Sequence, residues 1–322
     1  MNLLYPGSGA IAHDRLSIFA PLGGPLVQLE NECLRCSVLP WFGAAIVELT
    51  DKQTGVDVLG LHPGAIHSII TQPPAMAGTY EYRNRQVGGW PELFPTGSRL
   101  DDYLGVPAPF HGESNQRRWD HAIVEEGPGQ AVARFTLHCM GSPLKLVRDM
   151  VLVGGASELV LRETITNESD LDVPLMWGHH PTFGAPFLEG GVKIELPPCR
   201  LCGGDESMLT VRPPASKSAN MFYADELSAG WLGLYNARLA LGCGLRFDEK
   251  LFRFLWIWQE YNANQRGPAF GREYAVAVEP FTSLWQSGDL AAKGPMIRLA
   301  ARGRMSTELK AFFYRQPLNL KG

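Results

Sequence analysis

Apolar and polar positions alternate with period two through most of this chain, and that pattern predicts strands. Residues 144–153 and 158–167 give the clearest case. In the second run Leu159, Leu161 and Glu163 fall on one face, with Val160, Arg162 and Thr164 on the other. Gly154-Gly155-Ala156-Ser157 joins the two runs as a hairpin turn. A third, shorter run covers 173–177. Upstream, runs at 33–39 and 44–49 flank Pro40-Trp41-Phe42-Gly43, and 122–125 and 131–139 follow Trp119. Downstream, 192–196, 232–235, 239–247, 252–259, 274–279, 291–302 and 307–314 read as strands. The pattern offers no amphipathic helix longer than two turns, although 287–293 predicts a short one. The expectation is one antiparallel all-β domain over 1–322, with about 15 to 20 strands arranged as stacked sheets.

Two adjacent histidines interrupt this pattern. Met176-Trp177-Gly178-His179-His180-Pro181-Thr182-Phe183 closes the run at 173–177, and Pro181 predicts that pairing stops there. The histidines then stand at the end of a sheet strand, where a rigid scaffold commonly presents site residues. Residues 63–113 are broken by Pro and Gly, yet carry Tyr80, Tyr82, Trp90, Phe94, Tyr103 and Phe110. A long, aromatic-rich loop region in a compact domain is usually functional or plugs a sheet opening.

Composition narrows the class. With 45% hydrophobic and 19% charged residues the 322-residue chain has ample material for a core, and 35 Gly with 24 Pro suit many short strands. A formal charge of −4 predicts no nucleic-acid partner. No apolar run reaches spanning length, so no membrane partner is expected, and the predicted location is cytoplasmic. Cys33-x-x-Cys36 and Cys199-x-x-Cys202 form two CxxC pairs, the spacing of zinc ligands. Cys33 and Cys36 lie in a strand-like run, where positions three apart face opposite ways. Buried reduced thiols are the expectation, with no metal.

Four stretches gather polar groups among aromatics: 83–95, which contains Arg85, Gly88-Gly89-Trp90-Pro91-Glu92 and Phe94-Pro95; Phe110-His111-Gly112-Glu113; the His179-His180 stretch; and 275–283, preceded by Trp256-Ile257-Trp258-Gln259. Glu279 closes an apolar strand before Pro280. Burial there raises a carboxylate's pKa toward the range of a general base.

Taken in order, these stretches resemble the aldose 1-epimerase (galactose mutarotase) superfamily over nearly the whole chain. The likeness is greatest to a bacterial branch with Trp-Gly-His-His-Pro and Glu-Pro signatures. Gly88 to Pro95 resembles the Gly-Gly-x-Pro-x-x-Phe-Pro element, Phe110-His111-Gly112 the His-Gly element, and His180-Pro181-Thr182-Phe183 the His-x-x-Phe. Glu279 matches the late catalytic glutamate. There are departures: His179 replaces the usual Asn, Glu113 follows His-Gly, and no residue matches the aspartate that grips sugar hydroxyls.

The resemblance implies a β-supersandwich and the cofactor-free interconversion of α and β anomers of a free sugar or sugar derivative. It implies Glu279 as base and His180 as acid, which fits the need to deprotonate the anomeric hydroxyl while protonating the ring oxygen. Arg85 and His111 would steady the sugar, His179 would donate a further hydrogen bond, and Trp258 or Trp90 would form a platform. The expected partner is a small-molecule carbohydrate, and the expected protein a monomer or homodimer. Two alternatives stand beside this: a non-catalytic carbohydrate-binding or sugar-sensing protein, and a sugar-phosphate or uronate epimerase using Arg83, Arg85, Arg117 and Arg118 as an anion clamp. A hydrolase needs a second carboxylate, for which Glu92 is the candidate.

Overall fold

The structure is a computed structural model that describes residues 11–12, 16–19, 24–62, 88–97, 100–266, 269–284 and 296–318. Among these residues there are 25 strands and three short 3-10 turns. The strand count exceeds the expectation for two reasons. Several strands are two-residue pieces, such as Glu92–Leu93, Gly178–His179 and Thr182–Phe183. Two others, Arg200–Cys202 and Ala219–Asp225, lack the alternation that marks a half-buried strand. The helix expected at 287–293 lies outside the described residues.

Leu144–Val153 and Glu158–Asn167 have the predicted bounds. They sit at the centre of an eight-stranded antiparallel sheet that also takes in Asp120–Glu126, Gln130–His138, Arg304–Tyr314, Leu241–Arg246, Trp231–Asn236 and Lys193–Glu195. A seven-stranded sheet lies against it, in the order Arg200–Cys202, Ala219–Asp225, Phe254–Tyr261, Tyr274–Phe281, Gly178–His179 and Glu92–Leu93, with Thr182–Phe183 also on Tyr274–Phe281. A six-stranded meander over Ile11–Ala12 to Val56–Asp57 and two small two-stranded sheets complete the set.

One buried cluster joins the inner faces of the sheets. Leu144, Leu146, Met150, Leu159, Leu161 and Ile165 from the eight-stranded sheet meet Phe222, Leu255, Ile257, Val276 and Val278 from the seven-stranded one. Residues of period two from these belong to the opposite, outer face: Met221, Tyr223, Trp256, Phe254 and Phe281 pack there as a separate cluster with Leu93 and Met176.

Pairing does not stop at the prolines, contrary to expectation. Gly178 pairs with Phe281 and Thr182 with Ala277, so the 178–183 stretch runs on past Pro181. The Glu279 strand likewise keeps its register with Phe254–Tyr261 through Pro280. What the prolines remove is N–H donors from the facing edges of 178–183 and 274–281, which leaves this pairing as short bridges rather than a full ladder.

Candidate active site

Gly178–Phe281 and Thr182–Ala277 bracket the point where His180 faces Glu279 across the two strands. The His180 Nε2 lies 3.3 Å from Glu279 Oε1, with both side chains buried. Gly178 makes this register possible, since a Cβ there would stand 2.4 Å from the Phe281 ring. The other imidazole nitrogen, Nδ1, lies 3.0 Å from Thr182 Oγ1, whose own hydroxyl donates to the His180 carbonyl at 3.4 Å. With the hydroxyl so directed, Nδ1 carries the proton and donates to Oγ1, and the Nε2 lone pair faces Glu279.

Burial decides the charge states. It pushes His180 down to about 4 and Glu279 well above the ordinary carboxylate range. Both shifts favour the neutral forms, a carboxylic acid whose O–H can donate to the Nε2 lone pair across 3.3 Å. Glu279 Oε2 is buried without a hydrogen-bond partner. Such an orphaned oxygen is costly in a packed interior and leaves the carboxyl with an unused acceptor.

Of the residues expected at the site, His111 and Trp258 stand with the dyad. The His111 ring lies 5.5 Å from the His180 ring and stacks on Phe110 at 4.0 Å. Its backbone has φ of +66°, and Gly112 beside it has φ of +73°, where a Cβ would meet the Phe94 carbonyl oxygen at 2.4 Å. Backbone approach thus fixes His111 in place. Trp258 lies 6.3 Å from His180 and is half-buried. Arg85, like Arg83, lies outside the described residues.

His179 and Trp90 are placed differently from the expectation. Alternation turns His179 to the inner face, where it is fully buried. Its Nε2 is 3.1 Å from Glu163 Oε2, and Trp90 Nε1 donates to its Nδ1 at 3.3 Å. Both ring nitrogens are occupied within the protein, and Trp90 is buried too. Glu92, the candidate second carboxylate of a hydrolase, is on the same inner face. It accepts from Trp177 Nε1 at 2.6 Å and from Arg148 Nη1 at 3.3 Å.

These residues form a buried polar cluster behind the dyad. Arg148 also donates to the Ala44 carbonyl and lies over the Trp119 and Phe135 rings at 5.1 and 5.5 Å. Burial, aided by the neighbouring Glu163 charge, pushes Glu92 up to about 8, and burial pushes Glu163 up to about 7 against the pull of Arg148. His179 is pushed down to about 4 by burial. One guanidinium, one carboxylate, one carboxylic acid and a neutral imidazole leave the cluster uncharged. Glu92, Glu163 and His179 have ligand-type atoms within 4.8 Å of one another, the one such group of three among the described residues. Arg148 already supplies the positive charge those carboxylates face.

The remaining candidates are dispersed. Cys36 is buried in the core of the six-stranded sheet, while Cys202 lies at the edge of the seven-stranded one beside Asp225. Arg117 is directed at Met140 Sδ, and Arg118 is exposed. Glu113 accepts from the Met140 and Gly141 N–H groups at 2.8 and 3.0 Å and braces a turn.

Sequence reasoning missed Tyr223 and Met221, which the undetected strand Ala219–Asp225 brings to the outer face. Tyr223 pairs with Trp256, and Trp256 with Glu279, so the three form one row. Burial and the Glu279 charge together push the Tyr223 phenol up to about 12.

A family described as "Domain of unknown function (DUF4432)" matches residues 135–311, which hold both His180 and Glu279. No curated protein matches the chain in sequence. Among solved structures it is similar to a "putative aldose 1-epimerase" from Klebsiella pneumoniae, with a TM-score of 0.76, 14% identity and coverage of 95% of this chain and 85% of that one. It is also similar to the Slr1438 protein of Synechocystis (TM-score 0.69, 17% identity, 92% and 98% covered) and to a galactose mutarotase-like protein of Clostridium acetobutylicum (TM-score 0.64, 16% identity, 91% and 96% covered). The likeness is one of fold, the β-supersandwich of stacked antiparallel sheets. No described helix is long and apolar enough to cross a membrane.

Proposed function

The chain belongs to the family described as Domain of unknown function (DUF4432), and from that premise we propose that it is an isomerase of aldose 1-epimerase type. One observation carries the reading: His180 Nε2 and Glu279 Oε1 face each other at 3.3 Å on the outer face of a sheet, both buried, beside an aromatic platform.

The dyad holds one exchangeable proton. On Glu279 it gives the neutral pair of the resting site; on His180 it gives imidazolium and carboxylate. A hemiacetal entering between them stabilises the second form, because its hydroxyl and ring oxygen replace lost solvation. Glu279 then removes the anomeric hydroxyl proton while His180 Nε2 protonates the ring oxygen, and C1–O5 breaks to give the open aldehyde. Rotation about C1–C2 and reversal of both transfers close the other anomer. No proton is gained or lost overall. An acid–base pair of this kind contributes roughly 10²–10⁴-fold, a sufficient scale for a reaction that water already performs slowly. Trp258 supports the sugar's C–H face, and His111 orients oxygens on the His180 side. His179 and Trp90 serve the core cluster instead.

The test is α/β exchange NMR on a panel of free aldoses, uronates and sugar phosphates. Acceleration of one or more above the spontaneous rate is expected. A protein that binds an aldose tightly and never accelerates its mutarotation is a sugar-binding protein, and the proposal fails.

A further inference from the structure

The outer face beside the dyad can be followed row by row through the strand register. Met221 pairs with Trp258, and Trp258 with Ala277; Tyr223 pairs with Trp256, and Trp256 with Glu279. Trp256 stacks on Phe281 at 3.8 Å and meets Tyr223 edge-on at 6.1 Å. Met221, Tyr223, Phe254 and Trp258 are half-buried, so part of each side chain is accessible. On these two strands the wall around the dyad is thioether and aromatic carbon.

The polar groups of the same two strands are largely committed elsewhere. Asp225 is held by Arg200 through two hydrogen bonds of 2.8 and 2.7 Å. Glu260 accepts from the Ala263 and Asn264 N–H groups and is 5% exposed. The Trp256 indole N–H donates to the Ser283 carbonyl at 2.9 Å. Among the described residues, the Tyr223 phenol and the Trp258 indole N–H are the polar groups left on this part of the face. A sugar hydroxyl set against Met221 or the Trp258 ring meets no polar partner on these two strands, and an unpaired buried hydroxyl weakens binding.

We infer that the substrate is a deoxygenated sugar, with hydrogen or methyl rather than hydroxyl where the ring faces Met221 and Trp258. This rests on the epimerase reading of the dyad for its catalytic consequence, though the apolar wall concerns binding alone. Met221 and Trp258 take the C–H-rich edge, and Tyr223 makes the one strong hydroxyl contact on that side. A site of this kind discriminates modestly, because an apolar pocket rejects an added hydroxyl by about ten- to a hundredfold.

Matched pairs of 6-deoxy and 2-deoxy hexoses with their parent hexoses test this. Anomer exchange NMR gives kcat/KM, and tryptophan fluorescence gives Kd independently of turnover. At least one deoxy sugar should exceed its parent about tenfold or more in both, and Met221→Gln should narrow that gap to about threefold or less. Equal or inverted preference in every pair overturns the inference while exchange above the spontaneous rate leaves the epimerase reading standing. Selective binding of a deoxy sugar without accelerated exchange does the opposite. Binding of neither member of any pair overturns the inference as well.

Discussion

Replacing Glu92 by Gln probes the uncharged cluster behind the dyad, and its effect follows from proton counting. Folded Glu92 keeps its proton until about pH 8, whereas in the unfolded chain it titrates near 4.5. Between those values the folded state binds the extra proton, so this group's contribution to stability falls as pH rises. From pH 6 to pH 8 the loss is about 2 kcal/mol, at about 1.4 kcal/mol per pH unit with the slope easing near the folded pKa. Gln stays neutral throughout. Its amide oxygen can accept the Trp177 indole N–H, and its N–H group can donate toward Glu163 as the acid O–H does, but that NH2 replaces the oxygen that accepts from Arg148 Nη1. At pH 6 the variant should therefore lie about 1–3 kcal/mol below wild type, the cost of the buried Arg148 N–H left without that acceptor. By pH 8 that difference should have moved about 2 kcal/mol in the variant's favour. The buried histidines act in the opposite sense: folded neutral near 4, they cost stability as pH falls below 6.5, equally in both proteins. Urea denaturation followed by fluorescence at half-unit steps from pH 6 to pH 8 gives the two curves. Parallel curves would refute the shared-proton account of the cluster.

Five further outcomes are expected. Glu279→Gln should lower kcat by roughly 10²-fold or more while stability stays within about 1–2 kcal/mol, since the buried carboxyl is already neutral; near wild-type exchange would make Glu279 structural. His180→Asn should cost a similar factor in kcat with a smaller change in sugar affinity. The wild-type kcat/KM profile should be a bell whose acid limb lies near pH 4, set by the buried imidazole, and a sharp loss already at pH 6 would contradict this. His179→Asn should act on stability rather than turnover, costing about 2–3 kcal/mol in urea melts because Glu163 and Trp90 lose a buried partner; a raised KM at unchanged stability would return His179 to the sugar. Cys33→Ser and Cys199→Ser should each remain folded with no metal released, and elemental analysis showing one zinc freed by either would revive a four-thiolate site.

Alternation made the two long central strands readable to the residue, because each has one face in the core and one outside. Ala219–Asp225 was not readable: both its faces carry aromatic or apolar residues, one set toward the core and the other toward the site. Tyr223 and Met221 were lost with it. The dyad was legible in the motifs that hold His180 and Glu279, but their pairing at 3.3 Å depends on a register that no local pattern encodes. The adjacent histidines looked equivalent in sequence; only the strand's two-sidedness separates them. The buried cluster had a readable sign, since Glu163 shares a face with Leu159 and Leu161, and Arg148 with Leu146 and Met150. Two opposite charges on the apolar faces of paired strands announce a polar core.

That two-sided strand has a consequence for how the chain tolerates change in length. Removing or adding one residue between Leu175 and Thr182 would exchange the environments of the two imidazoles, sending one toward Arg148 and the other out of reach of Glu163. The Glu163–His179 contact therefore works as a key in a lock: it fits at one setting of the strand and leaves charged groups unmatched at its neighbours. An insertion scan along 170–190 should find folding permitted on either side of this window and forbidden within it, independently of any effect on the sugar.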